Sequence, residues 1–473
     1  MTTSDQYREV LEATLQHALK YFSKLDESPV AAASDLAELR QSLDQALPVE
    51  GREATQVLNE LVLKASDGLN DCAGGRFFAW VIGGALPVAL AADWMTSVWD
   101  QNAGMYAVAP SAAVIEEVVG RWLLELLELP KEASFALVTG CQMAHVTCLA
   151  AARNGVLHRQ GWDVETDGLV GAPPIRVLSG DQHHGTIERS LRLLGLGRRS
   201  LIELPVELDG KLGVETLRDA LQREPGAPTI VLLQAGDINT GSFDSFEALI
   251  PLAHEFGAWV HVDGAFGLWA KASPGLRYLL TGVEKADSWA TDGHKWLNVP
   301  YDCGYAIVSD REAHYRSFAH QASYLDHSQV ARDQVDWNPE YSRRARGIAS
   351  YAALLSLGQE GVADLVDRCC RFARRIVEES ARFDGVEALC LPVINQGLLR
   401  FVDENPEATE DDHDRRTDAV VRHIVASGEA FFACTSWKKK RCMRVSVCNW
   451  QTNDSDITRT VEAIRKVVLA CRV

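Results

Sequence analysis

The stretch WATDGHKWLNVPYDCG, residues 289–304, sets His294 and Lys295 between aromatic and apolar flanks. Lysine is rarely fully buried without a partner, and a lone cation held in such surroundings either loses its proton or is put to chemical use. A surface loop whose lysine reaches water along its own stem has the same local look. What surrounds Lys295 in the fold decides between the two.

The segments on either side read as strands: ADSWATD (286–292) before it and GYAIVSD (304–310) after it. Further upstream, FALVTG (135–140), IRVLSG (175–180), SLIELPV (200–206), TIVLLQAG (229–236) and AWVHVDGA (258–265) have the same character. Several are apolar throughout, as strands of a parallel sheet covered on both faces are. Helical patterns lie between them at 142–155, 186–194, 214–222 and 244–256. The alternation predicts an α/β fold with a mostly parallel central sheet. Residues 5–66 have helical spacing, and SAAVIEEVVGRWLLELLELP (111–130) predicts a helix capped by Ser111 and stopped by Pro130. Residues 311–342 lack periodicity and are expected to form a long loop. Helical patterns resume at 345–382. A smaller α+β region follows, with strands at EALCLP (387–392), GLLRFVD (397–403) and RCMRVSVCNW (441–450), a helix at 415–427 and a solvated hairpin at WKKKR (437–441). The implied organisation is an N-terminal helical and dimerisation segment (1–108), a large domain (109–344) and a small C-terminal domain (345–473).

Composition narrows the function. The 473 residues carry 47 basic against 65 acidic side chains, a formal charge of −18, which argues against a nucleic-acid partner. Eleven cysteines at irregular spacings, with no C-x-x-C, fit reduced thiols in a cytoplasm. The N-terminus is an amphipathic helix pattern, not a secretory signal. The most apolar run, FFAWVIGGALPVALAADWM (77–95), is interrupted by Gly83, Gly84, Pro87 and Asp93, so no membrane span is expected.

Several motifs are missing. HEFGA (254–258) lacks the second histidine of a zinc-protease helix, GLG (195–197) lacks the third glycine of a dinucleotide turn, and neither a P-loop nor a G-x-S-x-G elbow occurs. What remains are polar residues at the C-terminal ends of predicted parallel strands, where open α/β sheets bind ligands. Asp263 ends one strand, and Lys295 follows 32 positions later, just past the next strand end. The turn at 139–142 leads into a helix whose first N–H groups are free to meet a phosphate. His183 and His184 stand at another strand end without a third metal ligand of suitable spacing. Each feature alone fits an ordinary turn or cap. Together they match pyridoxal phosphate, which needs an amine for its aldehyde, an acid at its ring nitrogen, a phosphate cradle and a flat partner for its ring. Lys295 is then the Schiff-base lysine, Asp263 the acid, 139–142 the cradle and His184 the flat partner.

With these residues in place, the chain resembles the group II pyridoxal-phosphate-dependent amino-acid decarboxylases, the aromatic-amino-acid and glutamate decarboxylase family, from about Gly74 to Trp450. HVDGAFG stands where that family has H-V-D-A-A, DGHKWLNVPYDCG matches its D/N-x-H-K-W segment, and DQHHGTIERS resembles the segment of the ring-stacking histidine. RFFAWVIGGALPVALAADW and MRVSVCNWQTND resemble its dimer-packing N-terminal segment and C-terminal strand. The resemblance implies a fold-type I homodimer with active sites at the subunit interface. It implies covalent attachment of pyridoxal phosphate at Lys295, Asp263 at the pyridinium nitrogen, and a ring held between Ala265 and His184. His294 and the backbone of Cys141 and Gln142 approach the phosphate, and Thr240 lies near the ring hydroxyl. The implied reaction is decarboxylation of an L-amino acid to an amine and carbon dioxide.

Three departures bear on that implication. Cys141 and Gln142 replace the small residues usual in the phosphate turn, and His145 stands where Asn is common. Gly293 replaces the usual Ala or Pro. Aligning Trp337 and SRRAR (342–346) with the family puts Gln334 about where a loop tyrosine delivers the proton to Cα. Tyr324, Tyr341, His320 and His327 flank that position as other acids. Without the tyrosine, the alternatives are oxidative deamination to an aldehyde, transamination, carbon–carbon lysis or a catalytically silent relative. Phe77, Phe78 and Trp80 suit an apolar or aromatic substrate, or a dimer core.

Overall fold

In the computed structural model, described for residues 3–320 and 331–471, all seven strands predicted between residues 135 and 310 form one sheet. They are β1 (Ser134–Val138), β2 (Arg176–Gly180), β3 (Leu201–Leu204), β4 (Thr229–Gln234), β5 (Trp259–Asp263), β6 (Ser288–Asp292) and β7 (Gly304–Val308). Their spatial order is β1-β7-β6-β5-β4-β2-β3. Neighbours from β6 to β3 run parallel, while β7 runs antiparallel to both β1 and β6. β1, β2, β4, β6 and β7 are buried along their whole length, which explains the apolar runs within β1, β4 and β7. The helix Cys141–His158 packs across the sheet with most of its residues buried.

A second sheet of four antiparallel strands closes the chain: β8 (Val386–Cys390), β9 (Gln396–Phe401), β10 (Ala433–Trp437) and β11 (Lys440–Ser446), in the order β10-β11-β9-β8. The WKKKR hairpin is present, with Lys438 and Lys439 at φ 49° and 64° between paired Trp437 and Lys440. Left-handed backbone at both central residues matches the twist of a two-residue hairpin.

Three expectations change. The helix Pro110–Leu126 starts with Pro110 in its first turn and Ala109 as its cap, so Ser111 lies inside it. A proline without an N–H suits that first turn. The segment 311–342 is not all loop: Asp310 accepts from the Ala313 N–H and starts the helix Arg311–Phe318. Tyr324 and His327 lie outside the described residues. β10 and the terminal helix Asp454–Ala470 add to the predicted C-terminal elements. Among the described residues, no helix is long and apolar enough to cross a membrane.

Register assembles the strand ends. Asp263, last in β5, stands opposite Gln234 of β4 and Ala290 of β6. Gly304 is paired with both Asp292 and Val138. A Cβ at Gly304 would fall 2.5 Å from the backbone of Gly140, so only glycine lets β7 approach the turn before the helix Cys141–His158.

Candidate active site

The C-terminal ends of β1, β2, β4, β5 and β6 surround a cavity of about 300 Å³. Lys295, Asp263, His184, Ala265, His294, Cys141 and Gln142 all line it. Thr240 does not: it is 2 % exposed, and its hydroxyl donates to Asp237 in the turn after β4. Phe77 and Phe78 also point elsewhere. They stack on Phe431 and Phe432 inside the protomer, at centroid distances of 4.7 and 5.4 Å. Of the three aromatics only Trp80 reaches the cavity. Trp80 and Val81 have consecutive left-handed backbone (φ 54° and 58°), uncommon for any non-glycine and more so for a β-branched residue.

Lys295 lies three residues beyond β6, with its side chain 19 % exposed toward the cavity. Its Nζ is 3.0 Å from Asp292 Oδ2. Burial alone would lower the amine's pKa; Asp292, with Cys141 and Asp263, outweighs that and raises it above the ordinary lysine value. A Cβ on Gly83 would fall 2.0 Å from the Lys295 carbonyl, so the N-terminal segment is packed directly on the lysine's backbone.

Asp292 is the organising residue that the sequence reading passed over. Its Oδ1 accepts from the Cys141 N–H at 2.6 Å and lies 3.4 Å from His294 Nε2. The Cys141 N–H, expected to meet a phosphate, is therefore already engaged by a carboxylate at the helix start. The adjoining Gln142 N–H has no partner among the described residues. Burial pushes the His294 pKa down, against the pull of Asp292.

Asp263 is also held as an anion. Burial alone would raise its pKa, but His145 and His184 together with the Ala265 N–H (3.1 Å to Oδ1) hold it well below the usual carboxylate range. His184 caps the helix Gly185–Leu193, and burial lowers its pKa. Its Nδ1 lies 2.7 Å from Thr186 Oγ1, which fixes the ring.

Arg444, on β11, was not anticipated. It is 7 % exposed and lines the cavity, donating through Nη1 to the Ile238 carbonyl at 3.2 Å while its Nε has no partner. Strand β11 belongs to the four-stranded sheet, and no sequence spacing announces its contact with the ends of the seven-stranded one. The apolar wall is made by Trp80, Val81, Ile238 and Phe266.

This donor set fits pyridoxal phosphate: an amine, an anionic carboxylate, a flat imidazole and an open helix-start N–H converge on one cavity. The comparisons agree. The family model for the pyridoxal-dependent decarboxylase conserved domain matches residues 37–401. Aromatic-L-amino-acid decarboxylase of Bacillus atrophaeus is 23% identical, over 98% of this chain and 95% of its own length. 4-Hydroxyphenylacetaldehyde synthase of Rhodiola rosea is 28% identical, over 88% of this chain and 85% of its own. The crystal structure of Oryza sativa TDC with PLP and tryptamine superposes with a TM-score of 0.93 at 23% identity, covering 100% of this chain and 99% of that one. With a family match across most of its length and a site suited to the cofactor, this chain belongs to the pyridoxal-dependent decarboxylase family.

Proposed function

We propose that the chain decarboxylates an L-amino acid to an amine, with Lys295, Asp263 and His184 as its cofactor-contacting residues. The observation that carries this reading is the convergence of Lys295, an anionic Asp263 and the partly unpaired guanidinium of Arg444 on one cavity. Pyridoxal phosphate, when bound, supplies an aldehyde for the amino group and a ring that accepts the electron pair left by departing carbon dioxide. Lys295 would hold the aldehyde through its amine, Asp263 would keep a proton on the ring nitrogen, and His184 and Ala265 would hold the ring between them. Arg444 receives the substrate carboxylate and fixes which bond at Cα breaks. The Trp80, Val81, Ile238 and Phe266 wall takes an apolar or aromatic side chain and keeps water away from the carboxylate, whose charge disappears in the reaction.

A charge-assisted hydrogen bond is worth about 1.5–3 kcal/mol, so Arg444→Gln is expected to raise KM for the amino acid by roughly 10–100-fold. Steady-state release of carbon dioxide checks it; an unchanged KM removes Arg444 from substrate binding.

The test of the reaction is incubation with each common amino acid, with product masses, carbon dioxide and oxygen followed together. Amine and carbon dioxide without oxygen uptake support decarboxylation. A second reading has its own observation: Gln334, the residue aligned with the family's loop tyrosine, is fully buried, paired with Arg332 and 3.4 Å from the Ala113 carbonyl. An amide has no acid proton to deliver to Cα. The oxidative alternative consumes an amino acid, oxygen and water and yields aldehyde, carbon dioxide, ammonia and hydrogen peroxide. Aldehyde and peroxide in equal amounts would establish it and reject the amine product.

A homodimer fits the exposed apolar residues Trp80, which lines the cavity, and Trp94, Met95, Val98 and Trp99 of the helix Pro87–Trp99, all between 36 and 59% exposed. Light scattering should give twice the chain mass; chain-mass protein alone would reject the dimer. The cysteines are all unpaired, as in a cytoplasmic protein.

A further inference from the structure

Behind Asp263 runs a line of polar groups that the proposed reaction does not use. Trp259 Nε1 donates to Ser288 Oγ at 2.9 Å, and His261 Nδ1 lies 2.9 Å from the same oxygen. His261 Nε2 is 2.9 Å from His145 Nδ1, with the two rings edge to face at 86°. His145 Nε2 then lies 3.5 Å from Asp263 Oδ2. None of Trp259, Ser288, His261 and His145 is more than 1 % exposed.

We propose that Trp259, Ser288, His261 and His145 form a one-way hydrogen-bond chain whose function is to aim the Nε2–H of His145 at Asp263. The two ends set the direction. An indole N–H can only donate, and an ionised carboxylate can only accept. If every link runs the same way, Ser288 donates to His261 Nδ1, His261 Nε2–H to His145 Nδ1, and His145 Nε2–H to Asp263. Every donor in the line then faces an acceptor. In the reverse direction the Ser288 hydroxyl receives two donors and its own hydrogen is left unpaired in the interior, at a cost of about 1–3 kcal/mol. The reverse direction also turns the bare Nε2 lone pair of His145 toward the Asp263 carboxylate. Cys141 Sγ, 3.4 Å from that Nε2, offers only a weak partner, and burial keeps its thiol protonated.

Burial pushes the His261 pKa down to about 3, so the link behind His145 stays neutral at any physiological pH. A donor held in one direction by that link orients the Asp263 carboxylate that lines the cavity. His145 and His261 are thus positioning residues acting through Asp263, and the proposal rests on the assignment of Asp263 to the cofactor ring.

The test begins with the full chain labelled with ¹⁵N-histidine, cofactor-free and cofactor-loaded, the two resonances assigned by loss in His145→Asn and His261→Gln. The expected spectrum has pyrrole-type Nε2 and pyridine-type Nδ1 on both rings near neutral pH. Protonated Nδ1 on either ring, or a doubly protonated His145, overturns the proposal. The second measurement is pyridoxal phosphate affinity of the cofactor-free protein by equilibrium dialysis. Loss of an outer-shell partner of this kind costs about 10–100-fold in affinity, so His145→Leu should weaken binding by that factor. His145→Asn, which keeps an amide donor, should recover most of it; equal affinities in both variants overturn the proposal. Where His145→Leu fails to fold, the tautomers of the unmodified protein decide alone. Asp263→Asn separates the two readings: undiminished cofactor affinity there, with the expected tautomers, rejects the ring assignment and leaves the chain standing.

Discussion

Lys295→Ala should reduce turnover by about a thousandfold or more while leaving the protein folded. Among the described residues that line the cavity Lys295 is the only lysine, and its covalent role ends with it. Stability should fall, but by less than the roughly 3–5 kcal/mol that a buried charge left wholly unpaired costs. Asp292, left without its 3.0 Å partner, still accepts from the Cys141 N–H at 2.6 Å and stays near His294. A carboxylate at a helix start keeps favourable company even when one cation leaves. Lys295→Arg separates charge from chemistry. Arginine restores a cation beside Asp292, but a guanidinium remains protonated and cannot condense with an aldehyde. The arginine variant should therefore be as inactive as the alanine variant and at least as stable. Borohydride reduction of the loaded protein, followed by peptide mapping, should place a pyridoxyl group on residue 295 of the unmodified chain and on neither variant. Turnover within tenfold of the unmodified protein in either variant would remove Lys295 from the chemistry.

The sheet was readable because several of its strands carry sustained apolar runs, and that pattern is imposed by burial on both faces. β10 was harder: ACTSW is only partly buried along its length and has no clear alternation to betray it. Lys295, Asp263 and His184 were legible for a different reason, since each ends or follows a strand, and strand ends converge in an open α/β sheet. Partners brought together by topology were not. His145 and His261 are 116 positions apart, and Arg444 comes from the second sheet. Asp292 was visible in the motif, yet its grip on the helix start depends on the antiparallel β7 holding Gly304 against Gly140. Thr240 shows the converse: a polar residue just past a strand end, its hydroxyl turned to Asp237 and away from the cavity.

Asp263→Asn tests the electrostatic half of the site. The substitution keeps the shape and an oxygen that can accept from His145, so the structural change is small. What disappears is the negative charge, and removing one partner of a buried charged pair costs about 3–5 kcal/mol. Turnover should fall by roughly 10²–10⁴-fold if that charge holds a proton on the cofactor ring during reaction. The stability comparison has a definite sign. The folded pKa of Asp263 lies below its unfolded value, which is about 3.9, so its ionised form contributes stability that is complete above that pH. That contribution is lost as pH falls through the folded pKa. The stability advantage of the unmodified protein over Asp263→Asn should therefore stay level through neutral and mildly acidic pH and shrink below about pH 4 in denaturant titrations. An advantage that grows on acidification would mean that Asp263 is protonated in the folded protein. Such a carboxyl would donate to the cofactor's ring nitrogen and could not hold a proton there, and the ring would lose the charge that makes carbon dioxide a favourable leaving group.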